Sequence, residues 1–130
     1  MDFQVHLLNG NTKSALDEAQ EVVNGDRQKY YGHPLDNHGN TAEFWASYLA
    51  RKHGIRIKLA AEDVCWMMVL LKISRECNLV KRDNIVDALG YIANIEMIQK
   101  ERNRRIPPPR QEFYADAEKA ILDNPTDRDY

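Results

Sequence analysis

Apolar residues recur at intervals of three and four through most of this 130-residue chain, the period of helices buried on one side. Ala15, Leu16, Ala19, Val22 and Val23 predict a first helix over 13–24, with Gly25 as its stop. Ala42, Trp45, Ala46 and Leu49 predict a second helix, capped by Asn40 with Glu43 at the capping-box position, ending near Gly54. Between Val64 and Leu71 the chain is apolar almost all round, which predicts a central helix over about 60–77. Ile85, Leu89, Ile92 and Ala93 define the inward face of a helix over about 82–102, which "IPPPR" ends because proline supplies no amide donor. A last amphipathic piece, 111–122, would pack back or meet a partner.

The intervening segments carry no such period. Residues 1–12 read as a loose arm, and "DRQKYYGHPLDNHG" (26–39) as an ordered loop rich in Gly, Pro, Asn and Asp. "IRIKL" alternates but is too short and solitary to build a sheet, so it reads as a connector. The expected fold is all-α: a compact bundle of four to five helices. It comprises a loose N-terminal arm (1–12), a helical core (13–102), and a proline spacer with a C-terminal helix and tail (103–130).

Composition narrows the function classes. A 43% hydrophobic and 29% charged balance is that of a globular chain able to bury a core. The net charge of −2 gives no global attraction to nucleic acid, so a polyanion site must be local. No stretch is long and apolar enough to span a bilayer, and no signal-peptide pattern opens the chain; a cytoplasmic protein is expected. Cys65 and Cys77 have no metal-type spacing and read as buried thiols of a reducing compartment. The long apolar run and two tryptophans exceed what four short helices hide, so a homo-oligomer is expected.

The chemistry gathers in two places. Lys72 and Arg75 continue faces that are apolar one turn earlier, while Asp83, Asp87, Gly90 and Asn94 form a narrow polar stripe beside Tyr91. A mid-helix glycine costs about 1 kcal/mol against alanine, so Gly90 marks a close approach. If cations and stripe face one pocket, Lys72 and Arg75 would grip phosphate oxygens, and Asp83 and Asp87, at i and i+4, would jointly hold a Mg²⁺. The same spacing also suits plain interhelical ion pairs with Asp83, Asp87 or Glu76. The second place is the 26–39 loop. Arg27, Tyr31, His33 and Asn37 would stack on a base and bond its edge or a phosphate, with Gly32 supplying a turn of positive φ. Alternatively, Tyr31 plugs the core and Asn37 closes a turn. His33 and His38 lack a third ligand at metal spacing.

With "DRQKYYGHPLDN", "AEFWASYL", "DVCWMMVLLKISRE" and "KRDNIVDALGYIA" in view, the chain resembles a family of short bacteriophage and prophage proteins of unknown function often labelled MazG-like. The resemblance covers roughly residues 15–95. It implies a distant relation to the all-α nucleoside triphosphate pyrophosphatases, which bind Mg²⁺ through two acidic helix motifs and cleave between the α- and β-phosphates. The second motif has an echo in "RDNIVDALGYIA", with Asp87 at the aspartate position. The first does not: "KISRE" places Lys72 and Arg75 where carboxylates belong, leaving Glu76 as the nearby acid.

Three functions follow. One is a Mg²⁺-dependent nucleotide pyrophosphohydrolase using Asp83, Asp87 and Glu76, with Arg27, Tyr31, His33, Asn37, Lys72, Arg75 and Tyr91 on the ligand. The second is a non-catalytic nucleotide-binding or sequestering protein of phage type, for example in counter-defence. The third is nucleic-acid binding through "KERNRRIPPPR", which the acids downstream weaken.

Overall fold

The computed structural model describes residues 13–107. Among these residues every regular element is helical: α1 (Ala15–Asn24), α2 (Arg27–Tyr31), α3 (Pro34–His53), α4 (Ala61–Asn78) and α5 (Arg82–Arg105). The expected arm at 1–12 and the helix at 111–122 lie outside the described residues. The connector at 55–59 forms no strand.

Local chemistry sets the element ends. The Ser14 hydroxyl accepts the Asp17 amide at 3.0 Å and starts α1. The Asp63 carboxylate accepts the Ala60 amide at 2.7 Å and starts α4. The expected loop over 26–39 is instead a short helix followed by the first turns of α3. His33 is extended (ψ 141°), Pro34 occupies the first helical turn, and the His33 Nδ1 accepts the Leu35 amide at 3.1 Å. Proline is pre-set for that position and has no amide to leave unpaired. Asn40 is therefore an interior residue of α3 rather than its cap. Gly32 takes φ +78°, the positive φ expected of it, at the turn that joins α2 to α3.

α5 is the spine. α4 lies antiparallel to it, α1 packs on another side, and α3 lies mainly against α4. Ala61, Cys65, Ile95 and Ile98 form the buried cluster where α4 meets α5, with Leu35 and Tyr91 packed against it. Three polar ties set the α4–α5 register: Glu62 with Arg102, Lys72 with Asp87, and Glu76 with the buried Asn84. Arg82 at the start of α5 reaches α1, donating to Glu18 and to the Lys13 carbonyl.

Two expectations about the core are corrected. α4 is not enclosed: Val64 and Cys65 are buried, but Trp66, Met67, Leu70, Leu71 and Ile73 are exposed. On α5 the residues turned inward are Asn84, Val86, Ile95 and Ile98, whereas Ile85 and Ile92 of the expected inner face are exposed. The helix has two apolar sides, and periodicity alone selected the one that this chain leaves open. Cys77 is likewise exposed rather than buried. Cys65 is fully enclosed, and burial pushes its thiol up to about 12, which makes it unreactive at neutral pH.

Candidate functional site

The α5 stripe does line concave surface, but in two clefts rather than one. The first, of about 230 Å³, lies between α1, α2, the start of α3 and the middle of α5. Arg27, Tyr31, Asn37, His38, Asp87 and Tyr91 contribute to its wall, and Gly90 and Asn94 complete the α5 side. The second, of about 540 Å³, is an open groove between the end of α4 and the start of α5, lined by Lys72, Arg75, Lys81, Asp83, Asn84 and Asp87. Asp87 belongs to both, so the clefts adjoin at its carboxylate.

At that junction Lys72 Nζ donates to Asp87 Oδ2 at 2.7 Å. The lysine side chain is only 12% exposed and the aspartate 33%, so the pair sits at the rim of the core. Arg75 and Asp83 are exposed on the groove walls, and Lys81 adds a third cation. The groove thus has a cationic edge around a carboxylate that is already engaged.

The first cleft is held differently. Because α3 starts at Pro34, Asn37 and His38 stand one turn later on the side facing α5. Asn94 Nδ2 donates to His38 Nε2 at 3.3 Å, and the His38 ring lies 6.1 Å from that of Tyr91 at 59°. Burial lowers the His38 pKa, which matches an imidazole accepting at Nε2. Gly90 sits opposite α1: a Cβ there would stand 3.6 Å from Val23 Cγ2, an ordinary contact. Its missing side chain keeps the cavity wall open rather than relieving a clash. Tyr31 is not a core plug; it is 67% exposed at the mouth, with Arg27 also exposed beside it.

Two predicted site residues stand apart. The His33 side chain caps α3. Glu76 accepts from the Asn84 side chain at 2.7 Å and from the Lys81 amide at 3.2 Å, bracing the α4–α5 turn. Asn94 lines the cleft as the polar stripe implied, His38, weighed from sequence mainly as a metal ligand, joins it, and Gln28 does so without having been singled out from sequence. The available signal was Pro34: read as a helix start, it places Asn37 and His38 on one face.

Among the described residues no three His, Cys, Asp or Glu side chains gather in a way that would hold a metal ion. Asp83 and Asp87 share the groove with Lys72, Arg75 and Lys81, and such a donor set does not fit a dedicated Mg²⁺ cage, which needs several uncompensated oxygens. The cations of the 100–105 segment are also engaged: Lys100 with Glu96, Arg102 with Glu62, Arg104 with Glu101, and Arg105 with Asp36 and Glu101. No helix among the described residues is long and apolar enough to cross a membrane.

Comparison with known proteins places this arrangement in a phage context. The chain is 39% identical over 100 residues to the Gene 55 protein of Mycobacterium phage L5, covering 75% of this chain and 61% of that protein. It is 34% identical over 91 residues to the Gene 55 protein of Mycobacterium phage D29, covering 69% and 56% respectively. The chain therefore spans less than two thirds of either relative. No solved structure matches it. Residues 14–99, which hold α1 to most of α5 and both clefts, match the family described as a domain of unknown function (DUF6378), and the chain belongs to that family.

Proposed function

We propose that this protein binds a phosphate-bearing small molecule of the nucleotide class, and that binding or sequestering rather than turnover is its activity. The observation that carries this reading is the junction at Asp87, where a small polar and aromatic cleft opens beside a cation-edged groove. About 230 Å³ lies below the 300–1,000 Å³ of typical drug-sized sites, so the cleft suits one ring system rather than a whole nucleotide. Tyr31 and Tyr91 offer faces for stacking, and Asn37 and Asn94 offer donors and acceptors for a ring edge. The phosphates would then extend past Asp87 toward Lys72, Arg75 and Lys81, or toward Arg27 at the mouth.

The MazG-like resemblance supports the ligand class. It does not bring the mechanism with it, because two cations replace the first acidic motif and one of the two remaining carboxylates is tied to Lys72. The nucleic-acid reading is disfavoured by the pairing of every cation in 100–105 with a carboxylate.

A thermal-shift screen against nucleoside mono-, di- and triphosphates, with and without Mg²⁺ and with pyrophosphate release assayed in parallel, tests the reading. Arg27→Ala is the cleanest companion variant, since Arg27 is exposed and its loss costs little packing. Stabilisation by a nucleotide, absent in Arg27→Ala or Lys72→Ala and without turnover, is the expected result. Pyrophosphate release abolished by Lys72→Ala and Asp87→Ala would replace it with an enzyme. No response to any nucleotide would end the nucleotide reading.

A further inference from the structure

A further concave surface lies apart from the two clefts: a groove of about 410 Å³ between α3 and the 55–59 connector. One side of it is a line of α3 residues, Leu35, Gly39, Glu43 and Ala46, whose 4–4–3 spacing keeps them on one face of the helix. Ile57 and Leu59 of the connector form the other side, and Arg102 of α5 also lines it. Gly39 lies within α3, where glycine is disfavoured against alanine. A Cβ on Gly39 would meet nothing within 4 Å, so no described residue requires a glycine there. The groove is open above the one α3 residue that best admits a close neighbour.

We infer that residues 111–122 of this same chain occupy the groove, as a helix laid along α3. Position, length and pattern select that segment. Arg105, the last residue of α5, donates to both carboxylate oxygens of Asp36 at 2.6 and 2.8 Å, and Asp36 adjoins Leu35 where the groove begins on α3. The chain therefore leaves the described residues beside the groove, with Ile106 in extended backbone (φ −72°, ψ 117°). The prolines at 107–109 favour polyproline II at about 3.1 Å per residue, so 107–110 would span roughly one helix diameter. As a helix, 111–122 would then extend about 18 Å, against about 17 Å for the α3 line from Leu35 to Ala46. Phe113, Ala117, Ala120 and Ile121 recur at i, i+4, i+7 and i+8, an apolar face with small residues to set against Gly39 and Ala46. Glu112 and Asp116 edge that face, and the exposed Lys58 edges the groove.

Hydroxyl-radical footprinting of the full chain, read residue by residue by mass spectrometry, tests this against a reference within the same connector. Ile55 and Ile57 are 46% and 47% exposed among the described residues, but of the two only Ile57 lines the groove. Ile57 is expected to label several-fold more slowly than Ile55, and Phe113→Glu to bring the two rates together with the helical circular dichroism retained. Should that variant fail to fold, Gly39→Leu serves in its place. Its side chain would project into the groove, so Phe113 should label as fast as the exposed Phe44 and the variant should melt below wild type. An unoccupied groove gives the opposite results: equal labelling of Ile55 and Ile57, and a Gly39→Leu that melts above wild type because leucine is the better helix former. Either overturns the inference. Protection of Ile57 that survives in a folded Phe113→Glu overturns the assignment of the segment and leaves the groove to a second copy or another protein. A Phe113→Glu that instead raises the labelling of Trp66 and Leu70 puts the segment on the outer side of α4 and overturns the assignment of the groove.

Discussion

At the scale of single residues, the two ends of the Lys72–Asp87 bond are unequal. Lys72 is the more buried, so Asp87→Ala strands an ammonium with little water, whereas Lys72→Ala strands a carboxylate that remains one-third exposed. Removing a buried partner exposes the full desolvation penalty of the other group, about 1–3 kcal/mol here. Asp87→Ala is therefore expected to cost more than Lys72→Ala in urea unfolding, and Lys72→Met with Asp87→Leu to recover most of the loss, since replacing both charges leaves neither unpaired. His38 supplies a pH signature. Burial lowers its pKa from the ordinary 6.5, so the unfolded chain binds the proton more readily than the folded one. The stability tied to neutral His38 is complete above pH 6.5 and is lost as pH falls through the lower folded value. Thermal melts from pH 8 to 5 should show a decline that His38→Gln flattens; a wild-type slope unchanged in that variant would remove His38 as its source.

Element boundaries are where the sequence proved least legible, and the reason is chemical. Long helices announce themselves by period, and α1, α4 and α5 fall within a few residues of expectation. The start of α3 is hidden because its first turns carry Pro34, Asn37, His38 and Gly39, residues that elsewhere make loops. Here Asn37 and His38 are polar because they face a cleft. The same cause obscured the role of His38, while the α5 stripe, Asn94 included, was visible because carboxylates and a glycine interrupt an otherwise helical pattern. Gly90 separates the two uses of that stripe. An added methyl meets only Val23 at an ordinary distance, so Gly90→Ala should stabilise α5 by up to about 1 kcal/mol. The same methyl intrudes on the cleft wall, so the variant should melt higher than wild type yet lose the nucleotide-induced shift. A higher melting temperature with the shift intact would make Gly90 a neutral packing choice and shrink the site toward the groove.

For the whole molecule, α5 divides the labour by its circumference. Asp87, Gly90, Tyr91 and Asn94 face the cleft against α1 to α3, while Ile85 and Ile92 lie about half a turn away at 100° per residue. Reading the inner face of α5 from sequence failed for this reason: a helix with a core side, a cleft side and an outer apolar side has no single moment to report. The cleft and the outer apolar side are thus separate surfaces on opposite sides of one element. Leu70→Glu, on the outer side of α4, should keep the full nucleotide-induced shift in melting temperature, even where its baseline melting temperature differs from that of wild type. Comparing that shift in wild type and Leu70→Glu at matched chain concentration decides the matter. A shift that disappears in Leu70→Glu would mean that the cleft depends on the apolar side across α5. The separation of surfaces by helix side would then fail as a description of how this fold works.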